Sequence, residues 1–166
     1  MIKHLRIVED NRASSSIRFA NYIIDLIVLI IINTILSFAS ILIYSYTSIS
    51  FFYFYNNGGL LWEFFTGNLV SFIYYFLWEK YSNGRTVGKY VTNTRTISID
   101  GNDVTTQQVL YRTLSRIVPF DALSFLGGGN GWHDSWSDTR VINVRNYLAE
   151  KQAKDDINSL GTKENL

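Results

Sequence analysis

The chain has 166 residues, a formal net charge of +1 and no cysteine. That length suits one domain, the near-neutral balance argues against nucleic acid as a partner, which calls for a clustered basic excess, and the lack of cysteine excludes disulfides and thiolate metal sites. The mean hydropathy of +0.05 averages an apolar first half with a polar, charged second half.

Residues 1–16 form a polar segment in which Lys3, Arg6 and Arg12 precede Arg18, and it ends in Ser14, Ser15 and Ser16, any of which suits a helix N-cap. A cleavable leader has an apolar core of about 7 to 15 residues and then a small-residue cleavage site. The run from Ile17 to Tyr46 is longer and no such site follows, so it reads as an uncleaved span over about 17–44. Between Asp25 and Glu63 there is no Lys, Arg, Asp, Glu or His, more than enough for the roughly 20 apolar residues that cross a bilayer core. Aromatic residues (Tyr44, Tyr46, and Phe51 through Tyr55) collect at the far end, as expected at headgroup level, and Asn56-Asn57-Gly58-Gly59 predicts a turn. A second span follows over about 60–78, bracketed by Trp62 and Trp78. In it Gly67 and Ser71 are spaced to let another helix approach closely.

From Tyr81 the character changes. Ile97 and Ile99 alternate ahead of Asp100-Gly101, which predicts a small β-hairpin at the membrane surface. Thr105 and Gln108 have capping-box spacing and open an amphipathic helix over about 106–117, with Leu110, Leu114 and Ile117 on one side and Arg112 and Arg116 on another. The stretch VPFDALSFL, residues 118–126, is too short to cross alone, so 106–126 is expected to be an amphipathic or re-entrant element and not a full third span. GGGNG, residues 127–131, reads as a linker, and 146–166 as a disordered polar tail. The expected fold class is therefore an all-α membrane protein: two transmembrane helices, a third amphipathic or re-entrant helical element, and a small cytoplasmic hairpin-like segment, with the membrane domain over 17–145.

The ionisable residues of the first span are its most informative feature. Arg18, Asn21 and Asp25 fall on one helical face, and a carboxylate near the midplane, where Asp25 is expected, is a functional-site hypothesis by default. Helical side chains lean toward the N-terminus, so Arg18 points away from Asp25 and is expected to snorkel to the headgroups. Asp25 then looks to Arg112 or Arg116 for a partner. Asp121 is either a further arginine partner or a helix cap after Pro119. Together Arg18, Asn21, Asp25, Arg112, Arg116 and Asp121 make a candidate intramembrane polar site. No metal or other cofactor is expected: His133, Asp134 and Asp138 have only His4 as a further histidine, and GGGNG lacks the Lys-Ser/Thr ending of a phosphate loop. No nucleophile with an adjacent base is evident, so no enzyme is expected. The basic N-terminal segment and the 80–117 stretch flank an uncharged connection, which places both in the cytoplasm.

RFANYIIDLIV in the first span, GRTVGK after the second, a basic amphipathic stretch, and a terminal WHD followed by T-x-V together resemble the RDD family of small bacterial membrane proteins, named for one arginine and two aspartates. The likeness covers roughly residues 12–144. It implies that Arg18 is the family arginine and Asp25 the first aspartate, that the second is Asp134 or Asp121, and that Gly84, Thr86, Gly88, Lys89 and His133 belong to family motifs. It further implies a multi-pass protein of the bacterial cytoplasmic membrane and transport of ions or small ligands. Two helices are too few to enclose a pathway, so the expected partners beyond the lipid bilayer are further copies of the chain or another membrane protein. The alternative is a scaffold, assembly or sensor module whose charges only hold helices in register.

Overall fold

The computed structural model describes residues 5–118, 121–124 and 131–163. In chain order these form α1 (Arg6–Asp10), α2 (Ser15–Thr47), α3 (Ser50–Asn57), α4 (Leu60–Tyr81), α5 (Val87–Val91), β1 (Thr94–Ser98), α6 (Thr106–Ser115), α7 (Asp121–Ser124), α8 (Trp132–Ser135), β2 (Thr139–Asn143) and α9 (Val144–Lys163). Lys3, His4, Pro119 and Gly127 through Asn130, which figure in the sequence-based expectations, lie outside the described residues.

Two helices, α2 and α4, are long and apolar enough to cross a membrane. At 1.5 Å per residue α4 is about 33 Å long and matches a hydrocarbon core of about 30 Å, whereas α2 reaches about 50 Å and must extend beyond it or tilt. Ser14 is the N-cap of α2, and its side chain accepts the Ile17 amide at 3.4 Å. Both helices expose aliphatic and aromatic side chains, among them Ile27, Ile30, Ile35, Phe64 and Phe65, the surface a hydrocarbon environment requires. The connection is more structured than the predicted turn. Its aromatic residues form α3, which folds back on α2 where Ser37 Oγ donates to Asn56 Oδ1 (2.5 Å) and Asn56 Nδ2 to Ser40 Oγ (2.7 Å). Gly58 and Gly59 remain to turn the chain, Gly59 at a φ of 81°.

The other end of the helix pair carries a polar cap. Its two-stranded antiparallel sheet pairs β1 with β2, from Thr94 opposite Asn143 to Ser98 opposite Thr139. The predicted hairpin is thus replaced by a long-range pairing. Asp100-Gly101 does turn the chain, with Gly101 at φ 81°, but the residues after it, Asn102 and Asp103, are poor strand formers, whereas Val141 and Ile142 are β-branched and favour a strand. Val8, Ile97, Ile142 and Tyr147 form the core beneath the sheet. The N-terminal segment lies alongside it, the Leu5 amide donating to Ile99 O and the Ala13 amide to Val141 O.

One further expectation is corrected. Residues 146–163, part of the expected disordered tail, belong to α9: Leu148, Ala149, Glu150, Lys151 and Gln152 are strong helix formers, Tyr147 seats the helix in the cap core, and Glu150 accepts from both Asn11 and Lys154. In the 106–126 region the described residues form α6 and the single turn α7, and α6, about 15 Å long, is too short to cross a bilayer. The Thr105–Gln108 capping box is present in full. The amphipathicity of α6 runs inside out, with Arg112 fully buried while Leu110, Leu114 and Ile117 are 38–46% exposed.

Ile142→Ala should lower the stability of the cap by about 2–5 kcal/mol, the usual cost of truncating a buried aliphatic side chain, measurable as earlier unfolding of the detergent-solubilised chain.

Candidate functional site

The polar stripe of α2 lies at the centre of the cap. Arg18, Asn21 and Asp25 are all buried, and each holds a different part of the second half. Asn21 donates Nδ2 to Thr94 Oγ1 (3.0 Å) and accepts from Thr92 Oγ1 (2.5 Å), tying α2 to the end of α5 and the start of β1. Asp25 accepts from the Tyr74 hydroxyl (2.7 Å), the Thr86 hydroxyl (2.7 Å) and the Gly88 amide (2.8 Å). That amide belongs to the first turn of α5, where helix donors lack intrahelical partners, so Asp25 caps a helix more than sixty residues away. The approach is close: a Cβ on Gly88 would collide with the Asn21 carbonyl. Thr86 and Gly88 of the GRTVGK segment therefore serve one carboxylate.

Asp25 sits level with Tyr74, about 10 Å of helical rise from the end of α4, and so nearer the cap than the expected midplane. The excess length of α2 explains the difference. The expected partnership with Arg112 and Arg116 is likewise replaced, by three neutral donors.

Those arginines serve other carboxylates. Glu79, fully buried at the end of α4, accepts from Lys89 Nζ (2.6 Å), Arg112 Nε (2.9 Å) and Arg116 Nη2 (3.1 Å). Arg112 Nη1 also bonds Asp134 and donates to Thr139 Oγ1 (2.5 Å), and the second oxygen of Asp134 takes Arg18. Arg18 is buried in this ion pair and does not snorkel. His133 presents its backbone amide (3.1 Å) and Nδ1 (2.8 Å) to Asp121, and its Nε2 lies 3.4 Å from Arg18 Nη2. Donation from Nδ1–H to Asp121 leaves Nε2 to accept from Arg18, which fits a neutral ring.

The sequence-predicted site residues are thus brought together, Asp121 and Asp134 included, but in different pairings. Glu79 was not singled out because it follows Trp78 as an ordinary polar flank of a span. Tyr74 was missed because a tyrosine in an apolar helix shows no sign of its hydrogen bond. Gly67 meets open space and Ser71 borders a cavity, so the small pair does not bring α2 and α4 into close contact.

Burial and pairing compete throughout this cluster. Burial pushes Lys89 down to about 8 against the pull of Glu79. Burial, assisted by Arg116 and Arg112, likewise lowers His133 from its ordinary 6.5 despite Asp134 and Asp121. For Asp134 burial acts in the opposite sense and is outweighed by Arg112, His133 and Arg18, which hold the acid well below 3.8. Asp121 is also lowered, its bond to His133 overcoming burial.

Beside the cluster, α2, α4 and α6 enclose a cavity of about 210 Å³. Its lining combines the polar side chains of Arg18, Arg116, Asp121 and His133 with the apolar side chains of Leu29 and Phe72.

The chain matches the RDD family over residues 12–140, and it belongs to that family of membrane proteins. No curated protein and no solved structure matches it.

Removing one member of a buried ionic network leaves an uncompensated charge, so Glu79→Gln should cost about 3–5 kcal/mol of stability. Asp25→Asn, which leaves a buried donor unsatisfied, should cost about 1–3 kcal/mol. Thermal or denaturant unfolding in detergent measures both. Because His133 binds its proton more weakly in the folded chain, the unfolded state takes up more protons as pH falls below 6.5, and stability should drop as pH falls from 6.5 through the lowered value. Asp121 and Asp134 add their loss only below 3.8, as pH falls through their lowered values. His133→Gln should flatten the first decline, read as unfolding midpoint against pH.

Proposed function

We propose that this RDD family protein binds and moves an ion or small ligand through the polar cavity between α2, α4 and α6. The cavity itself carries this reading: charged side chains border a space of about 210 Å³ between two apolar helices, where an intramembrane ionisable group is costly unless it serves a site or a partner. The cap faces the cytoplasm of a bacterial cell in this reading, because the segments at that end hold the Lys and Arg residues and the connection Ser48 to Gly59 holds none. Two crossing helices do not enclose a pathway, so the working unit is a homo-oligomer or a complex with a membrane partner, which would cover part of the exposed apolar surface.

Asp25 has a positioning role here. It borders the cavity, but its oxygens already accept three hydrogen bonds, and its task is to hold α5 and Tyr74 against α2. The groups that face a ligand are Arg116, Ser71, Asn68 and Tyr75, which line the same space.

One observation favours a second reading, a membrane module that moves nothing. Among the described residues of the site, four cations (Arg18, Lys89, Arg112, Arg116) are all bonded to Glu79 or Asp134, an arrangement suited to a purely structural clamp.

Proteoliposomes carrying the full chain separate the two. Vesicles are tested for flux of sodium, potassium, protons, chloride and phosphate, comparing wild type with Ser71→Phe, which fills the cavity without touching an ion pair. Transport requires wild-type flux above protein-free vesicles for at least one probe and its loss in Ser71→Phe with the unfolding temperature retained. Flux at the protein-free level for every probe rejects transport in favour of the module.

A further inference from the structure

We infer that the cavity takes an anionic amphiphile, with a phosphate or carboxylate head at Arg116 and a hydrocarbon part lying between Leu26 and Phe72. The inference rests on reading the cavity as a ligand site and goes further by naming the ligand's chemistry. Hydrogen-bond valence decides the sign of the head, since the formal charges of the four cations and four carboxylates of the site cancel. The carboxylates here are committed: Asp25 to three donors, Glu79 to three cations, Asp134 to two arginines and Asp121 to two groups of His133. Each of these carboxylate oxygens already accepts at least one hydrogen bond, so a cation entering the cavity would meet no bare oxygen.

Donor capacity, by contrast, remains. Arg116 spends Nη2 on Glu79 and rests its guanidinium 4.1 Å from the centre of the Tyr75 ring, but its Nε is buried without a hydrogen-bond partner among the described residues. A buried donor left unmade costs free energy, and a guanidinium donor satisfied by an anion makes one of the stronger hydrogen bonds available to a protein. Ser71 and Tyr75 supply hydroxyls to the same wall.

The apolar half of the ligand follows from the rim of the cavity. Leu26 of α2 and Ile117, just after α6, both line the cavity and are 38% and 41% exposed, so part of its rim consists of aliphatic side chains suited to hydrocarbon. A fully hydrated ion gains nothing from that rim. A molecule with an acyl or alkyl chain buries the chain there, at about 25 cal/mol per Å² of apolar surface, while its head reaches Arg116.

The test uses the full chain in a neutral detergent, with octyl phosphate as the probe and octylamine, octanol and inorganic phosphate as comparisons; affinity is read from the ligand dependence of the unfolding temperature. Saturable stabilisation by octyl phosphate, at least about tenfold tighter than by any comparison compound, is expected. Ser71→Phe and Arg116→Gln should each weaken it about tenfold or more. Ser71→Phe leaves the ion pairs intact and keeps the test meaningful if Arg116→Gln fails to fold. Nanodiscs of phosphatidylcholine with and without phosphatidylglycerol then identify the source. Displacement of octyl phosphate by phosphatidylglycerol marks a bilayer lipid, and undiminished binding marks a water-soluble amphiphile. Equal stabilisation by octylamine or inorganic phosphate, or unchanged affinity in Ser71→Phe, overturns the inference. Binding without flux in the proteoliposome assay would uphold this inference and reject transport; flux of a probe without octyl phosphate binding would do the reverse.

Discussion

A polar stripe on a helix that runs into hydrocarbon must find its partners inside the protein, because lipid offers no hydrogen bonds. Arg18, Asn21 and Asp25 impose that constraint here, and the second half of the chain is arranged around it. Arg18 draws in α8 through Asp134, Asn21 holds the start of β1, and Asp25 holds the first turn of α5 and the Tyr74 hydroxyl. Each link joins α2 to a different element, so the three residues set where the cap sits and how it is rotated. Glu79 makes the corresponding attachment from α4, collecting Lys89, Arg112 and Arg116.

This arrangement reverses the usual polarity of a globular unit. In α6 arginine points inward and leucine outward, and the stacked rings of Trp132 and Trp136 lie on the outer side of α8, with Trp136 exposed. A buried ionic core of this kind is weak evidence of stability, since desolvation consumes much of the attraction, but breaking it is costly. It therefore confers geometric definition more than strength. That definition holds the cavity open: Arg116, fixed by Glu79 on one side and Tyr75 on the other, cannot collapse into the space beside it.

Features governed by local chemistry were legible in the sequence. The two spans follow from unbroken apolar composition, a serine cap among Ser14 to Ser16 and the Thr105–Gln108 box from short-range hydrogen bonding, and the grouping of Arg18, Asn21 and Asp25 from helical spacing alone. What could not be read depends on contacts between distant segments. Strand β1 announces itself through Ile97 and Ile99, but nothing local reveals that β2 is its partner. The helix α9 reads as a polar tail until Tyr147 and Glu150 meet the cap. The partners of Asp25 were misjudged for a related reason: opposite charge is the obvious remedy for a buried carboxylate, whereas a threonine hydroxyl, a tyrosine hydroxyl and a backbone amide carry no such flag. The RDD resemblance drew attention to Thr86 and Gly88 without explaining them; their shared contact with Asp25 does.

The spacing of these pairings along the chain bears on biogenesis. Asp134, which neutralises Arg18, is synthesised 116 residues after it, and Thr86 follows Asp25 by 61. During translation Arg18 and Asp25 are therefore made seconds before Asp134 and Thr86, at the roughly 5–20 residues per second of protein synthesis. For that interval the first turns of α2 must remain in water or at the insertion machinery, and the helix can settle to its final depth only when residues up to β2 have emerged. A nascent chain halted before Asp134 would expose an unneutralised arginine, which distinguishes an unfinished product from a mature one.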